Sequence, residues 1–512
     1  MSKVLLSFLE FLKLPVLVKK ILSVLVAIVV GVMPSFFFTS EKAANKYLLT
    51  GDDTFSYSAG EKWTAGFGSS VLTPADVTGD SYYIAGYYTN NPAKGVMDDM
   101  YARALYLDDN TGRGGVVLCA VDCIGLSRSD INAIRKIVID SKSIPNLKSI
   151  NIAATHSHEA VDTQGLWGKD FYTSGRNNNF MENLRQKTAN AIIKAYHSRR
   201  NGTLKVGSVQ TVGMQEDVRS PVDYNKNLTR IRFVPNDGTT QTILVNYACH
   251  AELMGKNNSL VSADFPAYLG REIALKTGGV QNPDGTVSGG ANYLFFNGAI
   301  GGMISSKQIM DVYNNPDFDC IAFAKQYGKE LGDIALSISD EETISPVINI
   351  KTKPIVVPVD NVMLILARFL GVLNNDITRD GKVASASIYS EVSYLELGNG
   401  QVGMFLIPGE LFPELESGNF LPAAEAGMGF NANYKVLSSL KNCHYQFVVG
   451  LANDELGYII PDNDFVLHEW LPYINIATDS YGREHYEEVD SAGPATAGII
   501  LDAMNSLITS VK

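Results

Sequence analysis

Four short stretches carry side chains on which chemistry could be built. Thr155-His156-Ser157-His158 follows an apolar run, residues 150–154, that reads as a strand. Asn246-Tyr247-Ala248-Cys249-His250 again ends a strand-like run on a histidine. Pro408-Gly409-Glu410 sets a carboxylate after residues 403–407, and Gly450-Leu451-Ala452-Asn453 runs on to Gly457-Tyr458. Polar groups at strand ends are where α/β sheets build their sites. Two histidines at i and i+2 either converge on one site or divide into one ligand and one acid–base group. Taken together, His, His, Glu and Tyr form a donor set suited to zinc, which accepts imidazole and carboxylate without needing a thiolate. The chain holds only 7 His, so each can be weighed. His197, His444 and His468 belong to no motif, and His485 adjoins Tyr486 as a candidate to line the same site.

The elements that must position these groups follow from periodicity. Residues 116–121, 149–154, 229–234, 242–247, 348–357, 388–397 and 403–407 read as strands. Ser127-x-x-Asp130 is a capping pattern for a helix over 128–141. Phe180, Leu184, Thr188, Ile192 and Ala195 recur at helical spacing and predict a helix over 178–199. Further helices are expected at 323–337 and 494–509, the last with Pro494 at its first position. Strands and helices mix along the whole chain without a clean break. The expectation is therefore one large layered α/β (or α+β) domain over 61–512, a mixed sheet with flanking helices.

Composition narrows the partners. With 42 Lys+Arg against 54 Asp+Glu among 512 residues, the net charge of −12 disfavours nucleic acid, whose phosphates need a basic face. Five Cys without CxxC spacing exclude a disulfide scaffold and read as small buried hydrophobes. Residues 21–40 carry no charge, follow four lysines, and as a helix would reach about 30 Å, the thickness of a bilayer core. Residues 1–40 are thus expected to be a hydrophobic helix serving as membrane anchor or cleaved signal peptide. Residues 41–60 would be a polar tether, with the domain extracytoplasmic.

At this point the chain resembles a known family, the neutral (non-lysosomal) ceramidases. The resemblance is carried by Gly86-Tyr87, Ala102-Arg103-Ala104, Thr155-His156-Ser157-His158, Arg219-Ser220-Pro221-Val222-Asp223-Tyr224 and Ala248-Cys249-His250. It continues through Ala263-Asp264-Phe265-Pro266-Ala267-Tyr268, Pro408-Gly409-Glu410, Gly450 to Asn453 with Tyr458, Tyr486-Glu487 and Gly493-Pro494-Ala495-Thr496. It implies one zinc ion per chain held by His156, His250, Glu410 and Tyr458, with His158, Arg219 and Tyr486 assisting catalysis. It also implies a zinc-dependent amidase that cleaves the N-acyl bond of ceramide or a related N-acyl lipid. The partners expected are a lipid-like amide substrate and a membrane met through the N-terminal segment, with no protein partner. Two alternatives stand beside it: a zinc hydrolase of another amide or ester, and a non-catalytic surface protein binding lipid or glycan.

The chain departs from the family pattern in three places. Where the family has Asn-x-Gly-Asp-Val-Ser-Pro, this chain reads Asn297-Gly298-Ala299-Ile300-Gly301-Gly302-Met303-Ile304-Ser305. Ile304 takes the serine position and Ser305 falls one residue late, which in an extended segment turns a side chain to the other face, so either the loop is re-registered and Ser305 serves or the chain has no such serine. The resemblance covers about 68–508, so the family's C-terminal immunoglobulin-like domain is expected to be missing. An insertion at 462–483 is either a lid over a lipid pocket or a packed surface loop.

Overall fold

A computed structural model describes residues 38–78, 82–378 and 386–511. The expected N-terminal hydrophobic helix falls, in its residues 1–37, outside the described residues. Among the described residues no helix is long and apolar enough to cross a membrane.

Two sheets form the framework. The larger runs, in spatial order, Asn292–Asn297, Thr242–Tyr247, Asn227–Pro235, Arg200–Gln210, Trp63–Val71, Tyr101–Asp108, Gly115–Val121 and Leu147–Ala154. Its first and last pairs are parallel and those between are antiparallel. A parallel pair needs a crossover. The helix Arg128–Ser141 supplies one and Phe265–Lys276 the other. The smaller sheet runs Ile348–Val359, Ala386–Leu397, Val402–Leu406, Tyr445–Val449, and its last pair is parallel.

The sheets face one another across a shared apolar layer. Leu118, Leu244 and Phe296 from the larger meet Leu395, Leu406 and Phe447 from the smaller. Helices Arg128–Ser141 and Asn178–His197 cover part of the larger sheet's outer face. Phe265–Lys276 and Cys320–Ser337 cover another part. Ala495–Ser510 packs in the apolar cluster beyond the smaller sheet. The result is the mixed-sheet α/β domain with flanking helices expected from the sequence. The helix at 128 starts where the capping pattern places it, since the Ser127 side chain accepts from the Asp130 N–H, a cap worth about 1 kcal/mol.

Buried ions tie helix to sheet. Glu391, on the smaller sheet, takes Arg128 Nε at 3.0 Å and Arg135 at 2.6 Å. Burial works to raise its pKa, but the two guanidiniums hold it below the usual carboxylate value. The stretch 41–60, read as a polar tether, lies against the domain. Asp52 takes Lys148 at 2.9 Å, and Phe55 stacks on Tyr394 with ring centroids 6.2 Å apart.

Candidate metal centre

The ends of parallel strands from both sheets converge. Leu147–Ala154 leads into His156 and His158, Thr242–Tyr247 into His250, and Val402–Leu406 into Glu410. A parallel bridge between Ser157 and Ala251 sets the two histidine loops side by side. Glu410 is the direct parallel partner of Tyr458 in a two-residue ladder. Residues directly opposite in a ladder hold their Cβ atoms about 5 Å apart, so this register delivers the two side chains to one place.

Asparagines lock these loops together. Asn297 accepts from Cys249 N–H at 2.9 Å and donates to the Cys249 and Thr155 carbonyls at 2.9 and 3.3 Å. Asn453 accepts from Ile152 N–H at 3.0 Å and donates its own N–H to the Ile152 carbonyl at 2.8 Å. His156 sits at φ 66 and Asn453 at φ 65, a left-handed conformation that costs non-glycine residues energy and that clusters at functional sites.

Within this frame three imidazoles and a carboxylate meet, all buried. Each of His156, His158 and His250 offers a ring nitrogen, and these lie within 4.8 Å of one another. His156 Nδ1 is 2.7 Å from the Ile124 carbonyl and His250 Nδ1 is 2.9 Å from the Ile304 carbonyl. A carbonyl only accepts, so each Nδ1 carries a proton and each ring turns Nε2 into the cluster, where the Nδ1–H tautomer offers its lone pair. Those lone pairs point at another acceptor: Glu410 Oε2 lies 3.0 Å from His250 Nε2 and 3.5 Å from His156 Nε2. His158 Nε2 is a further 3.2 Å from His156 Nε2. Acceptors crowded in this way repel unless a proton or a metal cation lies between them. Nδ1-protonated histidines anchored on backbone carbonyls are how proteins orient imidazole ligands, so the residues fit a zinc ion. Burial works to raise the pKa of Glu410, but positive charge and hydrogen bonds from the His156 and His250 side hold it well below the carboxylate range. Burial works to lower His250 while Glu410 carries it above the ordinary histidine value, so the pocket favours a cation or proton between them. Burial, with His156 and His250 adding to it, pushes His158 well below the usual histidine value.

The two tyrosines stand next to this cluster. Tyr458 and Tyr486 meet edge to face at 6.1 Å, and the Tyr458 hydroxyl points at Met303 Sδ, 3.2 Å away. Burial first, then nearby carboxylates, push both phenols well above their usual value, so each is a neutral O–H donor. In the departing loop, Ile304 packs into the apolar cluster of the helical face while Ser305 Oγ donates to Glu252 at 3.0 Å.

Arg219 is placed differently from the rest. Its guanidinium donates to Glu487 at 2.8 Å, to Glu488 at 2.9 Å and to the Asp464 carboxylate at 3.2 Å, and lies 5.0 Å from the Phe412 ring centre. Among the described residues no hydrogen bond or ion pair joins it to the three histidines or Glu410. It approaches them through Tyr486, whose following residues it grips, and through Phe412, two residues beyond Glu410. His485, a candidate to line the site, faces this network, with Nδ1 2.8 Å from Glu488 and 3.0 Å from Arg219. The insertion at 462–483 is packed down, with Phe465, Leu471 and Tyr473 buried.

Asp464, Asp479 and His485 form a second group with metal-like spacing. Its chemistry is already complete, because Arg483 donates to Asp479 at 2.6 Å and Arg219 holds Asp464. The sequence motifs missed this network, as they missed Asn297 and the carbonyls of Ile124 and Ile304. Asn297 and Ile304 lay inside the compared stretch 297–305, and Arg219 and Glu487 inside quoted motifs, but the motifs did not show these contacts.

The chain matches no family model and no curated protein. Its fold does match solved structures. Neutral ceramidase from Pseudomonas aeruginosa superposes with a TM-score of 0.63 at 13% identity, over 88% of this chain and 74% of that one. A ceramidase complexed with C2 gives a TM-score of 0.63 at 11% identity, over 88% and 75%. The fold of this chain is that of neutral ceramidase.

Proposed function

We propose that the chain is a zinc-dependent amide hydrolase that cleaves the N-acyl bond of ceramide or a related N-acyl lipid, releasing a fatty acid and a sphingoid base. The observation that carries it is the meeting of His156 Nε2, His250 Nε2 and Glu410 Oε2 with both Nδ1 atoms committed to carbonyls. The likeness of fold to neutral ceramidase supports the substrate class. In this reading His156, His250, Glu410 and Tyr458 hold the ion, and His158 is near enough to join them. Bound zinc supplies Lewis acidity toward a carbonyl and lowers the pKa of water to about 7.

The chain's own groups do the rest. The Tyr486 phenol, kept neutral by burial, donates to the oxygen of the amide carbonyl as it gains charge. A donor of this kind contributes about 3 kcal/mol in comparable sites. His158, beside the ligand cluster and kept unprotonated at rest by burial, would take the proton given up by the attacking water and return it to the leaving amine. Arg219 fixes the segment that carries Tyr486. A second reading, hydrolysis of a different amide or ester, is favoured by the loop at 297–305, where Ser305 bonds to Glu252. We also propose that residues 1–40 attach the protein to a membrane with its domain extracytoplasmic, supported by the charge-free run at 21–40. Protease added to intact cells would degrade the domain if so, and protection of the domain would refute it.

Fatty-acid release from short- and long-chain ceramides, with and without prior chelation of the protein, tests the main reading. Release that chelation stops and zinc restores is the expected result. Release indifferent to chelation would end the zinc reading, and zinc binding without release from any ceramide would end the ceramide one.

A further inference from the structure

Two residues beyond His250 lies a buried carboxylate that the reading above leaves without a role. Glu252 is 2% exposed. Its Oε1 accepts the Ser305 hydroxyl at 3.0 Å and the Tyr313 hydroxyl at 2.7 Å. Ser305 follows Ile304, whose carbonyl accepts both the backbone N–H and the ring Nδ1–H of His250, each at 2.9 Å. The strand that presents this carbonyl, Ile304–Ser306, is three residues long and among the described residues pairs only with the three-residue Gln215–Asp217. So short a ladder fixes position weakly, because each hydrogen bond nets only about 1 kcal/mol.

We propose that Glu252 is a positioning residue for the metal centre. It anchors Ser305, and with it the Ile304 carbonyl that keeps the His250 ring in the tautomer and orientation a metal ligand needs. The contacts close a loop, from His250 along the chain to Glu252, across to Ser305, back one residue to Ile304, and across again to the His250 ring. The same turn braces the neighbouring histidine. The Glu252 carbonyl accepts the Tyr87 hydroxyl, the Tyr87 ring stands edge-on to His158 at 5.4 Å, and His158 N–H donates to the Ala251 carbonyl at 2.8 Å. The role needs an acceptor oxygen and not a negative charge. A glutamine carbonyl serves both hydroxyls, whereas a leucine leaves two buried hydroxyls without a partner.

This inference rests on the metal reading above, and its test separates the two. The zinc dissociation constant is measured on the full chain by competition with a chromophoric chelator, for the wild type, Glu252→Gln and Glu252→Leu. Groups that orient a metal ligand from behind typically change affinity 10–100-fold, so Glu252→Leu is expected to bind zinc about 10–100-fold more weakly, with Glu252→Gln within about threefold of wild type. Wild-type affinity in Glu252→Leu overturns the inference, as does equal weakening in both variants, which would assign the effect to charge. Should Glu252→Leu fail to fold, the double variant Ser305→Ala with Tyr313→Phe removes the donors and leaves the carboxylate. It is expected to weaken zinc by a similar factor, and unchanged affinity overturns the proposal. Absence of zinc binding in the wild type would sink the metal reading and this inference together. Wild-type binding that is indifferent to these substitutions sinks the inference alone.

Discussion

Two groups of histidine and carboxylate side chains have metal-like spacing, and they differ in what already neutralises them. Around His156, His158, His250 and Glu410 ring nitrogens meet a carboxylate oxygen, and among the described residues no arginine or lysine pairs with them. Around Asp464, Asp479 and His485 two guanidiniums are inserted, Arg219 on Asp464 and Arg483 on Asp479. A dication between arginines meets repulsion before it meets a ligand. Spacing alone therefore does not identify a metal site; the sign of the surrounding charge separates a group whose chemistry suits a cation from a network that already holds its own.

The contrast breaks most visibly by substitution. His156→Ala or His250→Ala should bring the zinc content of the purified chain to background, while Asp479→Asn should leave it at the wild-type level; atomic emission on dialysed protein reads both. Next in size is Arg219→Ala. It leaves Asp464, Glu487 and Glu488 buried without their shared cation. Breaking a buried pair in this way costs about 3–5 kcal/mol, which chemical denaturation would show. Zinc content should survive in the folded fraction, and kcat should fall because Tyr486 loses its support. A loss of zinc equal to that of His250→Ala would show that the two regions are not separable.

The smallest effect is one of pH. Burial works to lower the His485 pKa, but the hydrogen bond and charge of Glu488 carry it above the ordinary histidine value, against Arg219 and with help from Asp464. Asp479 also faces its Nε2, at 3.4 Å. The charged ring therefore stabilises the fold fully below about pH 6.5, and this contribution is lost as pH rises through the raised value. Relative to His485→Gln, the wild type should lose stability above about pH 6.5, by at most about 1.4 kcal/mol per pH unit. Melting temperatures across that window test it, and parallel pH profiles for the two proteins would refute it.

Much of the centre was legible because His156, His158, His250 and Glu410 each follow closely on an apolar strand, and such strands announce themselves. The helix at 128–141 was legible from Ser127 and Asp130. Other parts were hidden for physical reasons. The strand Trp63–Val71 escaped because Gly66 and Gly68 interrupt its pattern. They are there so that helix Asn178–His197 can approach, since a Cβ on either would lie 2.1 or 2.2 Å from a helix carbonyl oxygen. Helix Phe265–Lys276 is buried over most of its surface, so it lacks the amphipathic period that reveals a helix. The Ile124 and Ile304 carbonyls that orient the rings are backbone, and carry no signature at all. Arg219 matched a motif, yet its partners lie about 250 residues away, and only the fold shows that they occupy it.

The central claim is that the histidine cluster holds a metal. Zinc-edge X-ray absorption on the purified full chain tests it most directly. One zinc per chain is predicted, with a nitrogen and oxygen shell at about 2.0–2.1 Å, imidazole scattering behind it and no sulfur. A chain without stoichiometric zinc, or one whose zinc shows a sulfur shell near about 2.3 Å, would contradict it.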